Sequence, residues 1–270
     1  MLKITEQPSP YRNLESKQIE EITGLINKED ASVANAVENS LPQINKLIHA
    51  IVSKLQQGGR MFYVGAGSGG RLSVLDVIEL PTTYGVEKGL VNAVLAGGIE
   101  HLAEAREEME DNIREGWERL QKENICAADL VIGISASGTT PFVLGALKEC
   151  RMSQITTGCI VSNPGSPIAE QSDYPVEVIT GPEFITGSTR MKCATAQKMI
   201  LDMISTTTMI HLKRVEDNQM VNVMLVNDKI IDRAVKMLIG KTGVEDYGLA
   251  KSLLIKYGSV KKAADQWQQS

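Results

Sequence analysis

A short glycine-rich stretch constrains the fold of this chain more than any other feature. The apolar run at 61–64 leads directly into GAGSGG at 65–70, and apolar residues at helical spacing follow at once over 71–79. The order strand, glycine loop, helix is typical of the first half of a βαβ unit, whose next strand lies parallel to the first. A chain built from such units is expected to fold as an α/β protein.

The middle of the chain repeats this alternation. Further strand-like runs begin at residues 90, 129, 155 and 174. The helical patterns that accompany the strands cover 71–79, 99–122, 141–152, 166–172 and, after the last strand, 191–212. Strands that alternate with helices predict a mostly parallel five-stranded sheet covered on both faces, which is a three-layer αβα fold.

Both ends of the chain show helical patterns without strands. A polar arm precedes helical patterns at about 16–26 and 31–57, and the chain from 215 onward is expected to be wholly helical, with breaks at 241–243 and 257–259. We therefore predict three parts. These are an N-terminal arm with helices at 1–57, an α/β domain at 58–213 and a small C-terminal helical domain at 214–270.

Composition excludes several classes of protein. A net charge of -5 argues against a broad nucleic-acid surface. No apolar run approaches the ~18 residues of a membrane span, and the N-terminus lacks the apolar segment of a signal peptide. We expect a cytoplasmic protein that binds neither nucleic acid nor membrane.

The cysteines and histidines argue against a metal site. The four cysteines show no CxxC or other short metal-binding spacing, and only three histidines occur in the chain. A multi-histidine metal centre is therefore not expected, and a Ser-His-Asp triad has few candidates. The cysteines lie in apolar or helical stretches, which favours reduced core thiols.

The first glycine loop alone does not identify a ligand. Gly65, Gly67 and Gly70 fit the G-x-G-x-x-G pattern of dinucleotide-binding folds. That pattern also needs an acidic residue at the end of the next strand, where this chain has AGG at 96–98. The nicotinamide interpretation therefore lacks its ribose ligand.

A second loop, SASGTT at 135–140, favours a phosphate site. Five of its six residues are Ser, Thr or Gly, and the loop joins a predicted strand to a predicted helix. Hydroxyls and free N–H groups at a helix N-terminus bind anions without lysine. The alternative is that these hydroxyls only cap the helix. A cap needs one such residue, so the number of hydroxyls favours phosphate.

The two loops carry a resemblance to a known family. The chain is similar to N-acetylmuramic acid 6-phosphate etherases, phosphosugar-binding proteins with the sugar isomerase (SIS) fold, and looks like a divergent member. The similarity covers nearly the whole chain. Its motifs include GAGSGGRLSVLD at 65–76, SGTTPF at 137–142, NPGS at 163–166, GPEFITGSTRMK at 181–192 and TAQK at 195–198.

The resemblance implies an SIS-type fold, a lyase activity and a set of site residues. Glu79, in the motif LDVIE, and Glu110, before Asp111, match the two functional glutamates of the family. The expected phosphate-binding residues are Gly67, Ser68, Gly69, Ser135, Ser137, Gly138, Thr139 and Thr140. Possible further substrate contacts are Arg71, Glu183, Ser188, Thr189 and Arg190.

The resemblance also implies a reaction and a partner. The family cleaves the D-lactyl ether of N-acetylmuramic acid 6-phosphate, giving N-acetylglucosamine 6-phosphate and D-lactate without cofactor or metal. The route implied is removal of the C2 proton, elimination of the lactyl oxygen and addition of water. Glu79 is matched to the first two steps and Glu110 to the water. A homodimer with the site near its interface is also implied.

The chain departs from the family at two positions near the expected site. Gly69 stands where the family loop usually has a second hydroxyl residue, and Thr139 stands where it usually has arginine. Two alternatives to the etherase therefore stay open. One is a non-catalytic sugar-phosphate sensor similar to glucokinase regulatory proteins, and the other is a phosphosugar isomerase. The retained pair of glutamates favours an enzyme over a sensor.

Overall fold

The centre of the structure is the predicted sheet of five parallel strands. The computed structural model describes residues 3–104 and 106–268. The strands are β1 (Met61–Gly65), β2 (Val91–Leu95), β3 (Leu130–Ser135), β4 (Thr156–Val161) and β5 (Tyr174–Glu177). Their order across the sheet is β2-β1-β3-β4-β5, and all four pairings are parallel. The α/β prediction and the five strands are confirmed.

Helices connect the strands and cover both faces of the sheet. The helices of this region are α1 (Ile19–Asp30), α2 (Val33–Gln56), α3 (Gly67–Tyr84), α4 (Glu115–Lys122), α5 (Pro141–Met152), α6 (Pro167–Glu170) and α7 (Lys192–His211). A Cβ on Gly133 of β3 would lie 2.6 Å from Val143 of α5, whereas one on Gly158 of β4 would lie 2.6 Å from Leu47 of α2. Because these glycines occupy opposite faces of neighbouring strands, α5 and α2 form the two outer layers.

The chain divides into two compact units. The first consists of residues 1–75 and 91–204, and the second of 76–90 and 205–270, so the boundaries fall inside α3 and α7. The segment 76–90 thus belongs with the C-terminal part of the chain. The predicted boundaries at 57 and 213 stay predictions.

Residues 228–268 of the second unit form three helices around a small apolar core. They are α8 (Asp228–Thr242), α9 (Tyr247–Tyr257) and α10 (Val260–Gln268). Asn227 and Asp246 accept hydrogen bonds from the first turns of α8 and α9, which fixes where those helices begin. Gly243 and Gly258 end them in the left-handed conformation, at φ 73° and 77°. The two predicted breaks in the tail are confirmed.

Two predicted helical stretches are wrong in detail. The pattern at 99–122 forms two short 3-10 turns, Ile99–His101 and Glu107–Asp111, and only then α4. The side chain of Asn112 accepts hydrogen bonds from the N–H groups of Arg114 and Glu115, so it starts a new helix there. The tail is also not wholly helical, because residues 215–227 form turns and an isolated bridge between Glu216 and Gln219.

A buried carboxylate fixes the start of α7. Glu183 is fully buried, and its two oxygens accept hydrogen bonds of 2.9 Å from the N–H groups of Lys192 and Cys193. The ammonium of Lys192 in turn donates to Glu29 at 2.6 Å, and the Tyr11 hydroxyl donates to the same carboxylate at 2.8 Å. The N-terminal segment is thereby tied to the beginning of α7.

Removal of the Glu183 carboxylate should destabilise the protein strongly. In Glu183→Ala, two buried N–H groups lose their acceptors, and we expect the free energy of unfolding to fall by about 3 kcal/mol. Urea denaturation of both proteins measures this change. Glu170→Ala, at an exposed position in α6, serves as the control and should stay within about 0.5 kcal/mol of the wild type. Equal stabilities of the two variants would contradict the role of Glu183.

Candidate active site

A cleft of about 400 Å³ lies at the carboxyl ends of β1 and β3, within the first unit. These neighbouring strands are the point at which the strand order reverses, because the chain runs from β1 outward to β2 and then returns to β3. Ligands of open α/β sheets bind at such a switch point. The cleft walls come from the two predicted loops, the turn at 107–110, residues 187–190, Glu6, Ile134 and Gln197.

The first loop brings the start of α3 against the end of β1. Gly65 and Gly70 approach so closely that a Cβ on Gly70 would lie 2.7 Å from the carbonyl carbon of Gly65. Gly67 has a φ of 53°, which favours glycine, and α3 begins at this residue. The first N–H groups of a helix have no partner within it, and Gly67, Ser68 and Gly69 all line the cleft.

The second loop is held by hydrogen bonds among its own hydroxyls. The Ser135 hydroxyl accepts from the N–H of Gly138 at 3.1 Å and shares a hydrogen bond of 2.8 Å with the hydroxyl of Thr140. The Ser137 hydroxyl accepts from the N–H and the hydroxyl of Thr139 at 3.3 and 3.2 Å. Gly138 has a φ of 70°, so glycine suits this turn.

The two loops together make a site suited to a phosphate group. The cleft presents the N-termini of α3 and α5, three hydroxyls of the second loop and the side chains of Arg71 and Arg190. Helix N-termini and oriented hydroxyls stabilise an anion, and a guanidinium adds a charge-assisted hydrogen bond.

The carboxyls of Glu107 and Glu110 lie beside the first loop, and the pKa of Glu110 is raised. Burial and a hydrogen bond with Glu107 raise the pKa of Glu110 to about 7, while the positive charge of Arg71 acts in the opposite direction. Arg71 also donates to Glu107 at 3.1 Å. A carboxyl with a pKa near neutrality can serve as acid and as base in one reaction cycle.

The structure brings together most of the predicted site residues. Those that line the cleft are Gly67, Ser68, Gly69, Arg71, Glu110, Ser135, Ser137, Thr140, Ser188, Thr189 and Arg190. Glu110 lies in a 3-10 turn, not in the long helix that the sequence pattern predicts.

Four predicted site residues lie elsewhere. Gly138 and Thr139 belong to the second loop but are not among the residues that line the cleft. The carboxylate of Glu183 accepts the two hydrogen bonds that fix the start of α7 and does not line the cleft. Glu79 belongs to the second unit, on the part of α3 beyond the boundary, and its side chain is exposed.

Sequence reasoning missed three polar residues of the cleft, Glu6, Glu107 and Gln197. Glu107 stands in a charged stretch where most carboxylates face solvent, and only its contacts single it out. Glu6 lies in the arm, which the buried Thr5 fixes through hydrogen bonds with Asn163. Gln197 lies in the motif TAQK, which indicates the family but assigns no role to this side chain. No local pattern distinguishes these residues from surface positions.

Neither a metal-binding cluster nor a membrane-spanning helix occurs in the described part of the chain. Among residues 3–104 and 106–268, no group of three or more His, Cys, Asp or Glu side chains is arranged to hold a metal ion. In the same part of the chain, no helix combines the length and apolar character needed to cross a membrane.

Two family models match this chain. One is described as the glucokinase regulatory protein N-terminal SIS domain and matches residues 43–151, and the other is the SIS domain, which matches residues 107–207. A phosphoheptose isomerase from Francisella tularensis has a similar fold, with a TM-score of 0.53 and 16% identity. This similarity covers 74% of the chain and 100% of the isomerase.

Much closer relatives exist among curated proteins. N-acetylmuramic acid 6-phosphate etherase of Bacteroides fragilis is 52% identical over 99% of this chain and 95% of its own length. The protein of the same name from Porphyromonas gingivalis is 52% identical over 99% of this chain and 97% of its own length.

The raised pKa of Glu110 should make the protein less stable as the pH rises. A carboxyl whose pKa is higher in the folded state than in the unfolded state contributes stability below the unfolded value of 4.5, which is lost as the pH passes about 7. Urea denaturation between about pH 5 and pH 8 should therefore show a falling free energy of unfolding, and Glu110→Gln should flatten this trend. Glu108→Gln, at an exposed position, should keep the wild-type slope. A slope that is unchanged in Glu110→Gln would contradict the assignment.

Proposed function

The chain belongs to the N-acetylmuramic acid 6-phosphate etherase family, and we propose from this that it cleaves the D-lactyl ether of N-acetylmuramic acid 6-phosphate. The products are N-acetylglucosamine 6-phosphate and D-lactate, and the enzyme is a carbon-oxygen lyase. The observation that carries the proposal is the cleft, in which an anion site adjoins a carboxyl with a pKa of about 7. It is supported by full-length relatives of this activity at 52% identity.

The chemistry explains why a carboxyl pair is needed. An ether oxygen is a poor leaving group, but the C2 proton of the open-chain sugar is acidic because the C1 carbonyl is adjacent. Removal of that proton allows the C3–O bond to break, with a proton delivered to the departing lactyl oxygen. Water then adds at C3 of the unsaturated aldehyde, and a proton returns to C2. Each step moves a proton, which carboxyls with suitable pKa values can do.

We assign the two glutamates to different steps. Glu79 would take the C2 proton and give one to the lactyl oxygen, and Glu110 would activate the water. The raised pKa of Glu110 supports a role in proton transfer near neutral pH. The assignment of Glu79 rests on its place in the motif LDVIE.

The phosphate would bind between the two loops. Ser68, Ser137 and Thr140 are the proposed hydroxyl ligands, and all three line the cleft. Thr139, which replaces the usual arginine of the family, is not a lining residue, and its hydroxyl accepts from the ammonium of Lys3 at 2.7 Å. A positive charge therefore lies beside this loop despite the replacement.

We further propose that the enzyme is a cytoplasmic homodimer. Three of the four cysteines are buried, and all four are free thiols, which suits a reducing compartment. The exposed Glu79 follows Ile78, whose side chain is 59% exposed. A large apolar side chain beside a carboxyl assigned to catalysis is consistent with a surface that a second subunit covers.

The two alternatives are not favoured. A sugar-phosphate sensor needs the anion site but no carboxyl with a pKa near neutrality. An isomerase shares the proton transfer at C2, but the isomerase that resembles this chain is only 16% identical, which shows the fold alone.

The phosphate assignment predicts a selective loss of binding. Ser137→Ala removes one hydroxyl that we expect to face the phosphate, so affinity for N-acetylglucosamine 6-phosphate should fall by about tenfold or more. Affinity for unphosphorylated N-acetylglucosamine should change little. Calorimetry measures both, with Ser153→Ala, at the exposed far end of α5, as the control. Equal weakening for both sugars would argue against this assignment.

The mechanism predicts deuterium in the sugar product. In deuterated water, the protein should release D-lactate from N-acetylmuramic acid 6-phosphate and leave solvent deuterium at C2 of the sugar, as mass spectrometry and NMR would show. Glu79→Gln should abolish release, because an amide neither takes nor gives the required proton. Glu110→Gln should slow turnover and accumulate the unsaturated intermediate, since water is no longer activated.

Two results would contradict this mechanism. D-Lactate released without deuterium at C2 would exclude elimination through the C2 carbanion. Phosphosugar binding by the unmutated protein with no D-lactate release would exclude the etherase and favour the sensor. Glu87→Gln, an exposed carboxyl outside the cleft, is the control variant and should release D-lactate at the wild-type rate.

A further inference from the structure

One buried polar side chain in the cleft wall has no role in the proposed mechanism. Gln197 lies in α7, lines the cleft and is only 2% exposed. Its carboxamide forms no hydrogen bond with any residue of 3–104 or 106–268. The amide atoms are open to the cleft and not sealed inside the protein. The donors and the acceptor of this carboxamide are therefore available to a ligand in the cleft.

The neighbouring glycine explains how this carboxamide reaches the cleft. A Cβ on Gly69 would lie 2.8 Å from Oε1 of Gln197 and 2.8 Å from Cγ2 of Ile134. Gly69 is not among the glycines with positive φ, so the backbone does not require glycine at this position. Because Gly69 has no side chain, it leaves a space in the cleft wall, and the Gln197 carboxamide borders that space.

The chemistry of this part of the wall suits an amide. A carboxamide offers one acceptor and two donors, and Ile134 places a methyl group at the same contact. An acetamido group presents a carbonyl, an N–H and a methyl. The carbonyl can accept from the carboxamide N–H, the N–H can donate to the carboxamide oxygen, and the methyl can pack against the methyl of Ile134. The hydroxyls proposed for the phosphate, those of Ser68, Ser137 and Thr140, belong to both loops. The space beside Gly69 is bordered by an amide and a methyl group, which suit an acetamido group better than a phosphate.

We propose that Gln197 binds the 2-acetamido group of the sugar, in the space left by Gly69, and so selects N-acetylated sugar phosphates. This inference rests on the proposed function, since that function supplies the acetamido group. Gln197 acts here in specificity, and Gly69 acts through it as a positioning residue. A sugar phosphate without the acetamido group would leave the buried carboxamide unpaired.

A ratio of two affinities tests the proposal without any need for turnover. Calorimetry gives the affinity of the protein for N-acetylglucosamine 6-phosphate and for glucose 6-phosphate. Gln197→Met keeps the length of the side chain but removes its polar groups. It should weaken the first ligand by about tenfold and the second by less than about twofold. The control is Lys198→Met, at the next position of α7, where the ammonium pairs with Asp202.

A second variant tests the same contact from the other side. Gly69→Ala keeps Gln197 but displaces its carboxamide, so it should also lower the affinity ratio. In the double variant the two effects should not add, because both remove one interaction. Gly69→Ala also keeps the test valid if Gln197→Met fails to fold, which thermal denaturation would reveal.

The outcomes separate this inference from the proposed function. Equal weakening of both ligands in Gln197→Met, or no change in either, would overturn the role of Gln197. Release of D-lactate by the unmutated protein tests the proposed function by itself. A lowered affinity ratio in a protein that releases no lactate would refute the etherase activity and leave the acetamido contact standing.

Discussion

The cleft depends on the close approach of two backbone segments, Gly65 and Gly70, where β1 turns into α3. A Cβ on either residue would lie within 2.9 Å of the other's backbone, so the contact exists only because both lack side chains. It allows α3 to begin two residues after β1 ends. The unpaired N–H groups of α3 therefore lie at the edge of the sheet beside the loop that follows β3. Because β1 and β3 are neighbours, both loops line one cleft.

The second part of the cleft depends on a buried network that brings distant segments together. Glu183 fixes the start of α7, and Lys192 links that start to Glu29 and, through it, to Tyr11. Residues 187–190, which lie between the two charged residues of the network, line the cleft. The long motif at 181–192 thus combines two tasks. Glu183 and Lys192 fix the backbone conformation through hydrogen bonds, and residues 187–190 line the cleft.

How far the sequence predicts this structure depends on whether the determining interaction is local. The five strands and the exact span of α5 follow from apolar runs, turn residues and Pro141, which are local signals. The start of α4 within 99–122 is set by one hydrogen-bonding side chain, Asn112, which the spacing of apolar residues does not reveal. The sequence predicts the loops at 67–69 and 135–140 from their hydroxyls and glycines, because these residues act within the loops themselves. Glu107 pairs with Arg71 and Gln197 lies beside Gly69, so both depend on residues far away in the chain.

The carboxyls of the cleft show why a catalytic site needs a rigid frame around it. Burial and the hydrogen bond with Glu107 raise the pKa of Glu110, and Arg71 pairs with Glu107 at 3.1 Å. Glu110 then holds its proton up to about pH 7, at a cost to stability above that pH. Glu110 lies in a short 3-10 turn and not in a strand of the sheet. At the opposite ends of the same strands, where β1 and β3 begin, the Arg60–Asp129 pair works in the opposite direction, because its hydrogen bonds outweigh burial and lower the pKa of Asp129. The site can therefore keep a carboxyl near neutrality because the sheet does not depend on that carboxyl for its own stability.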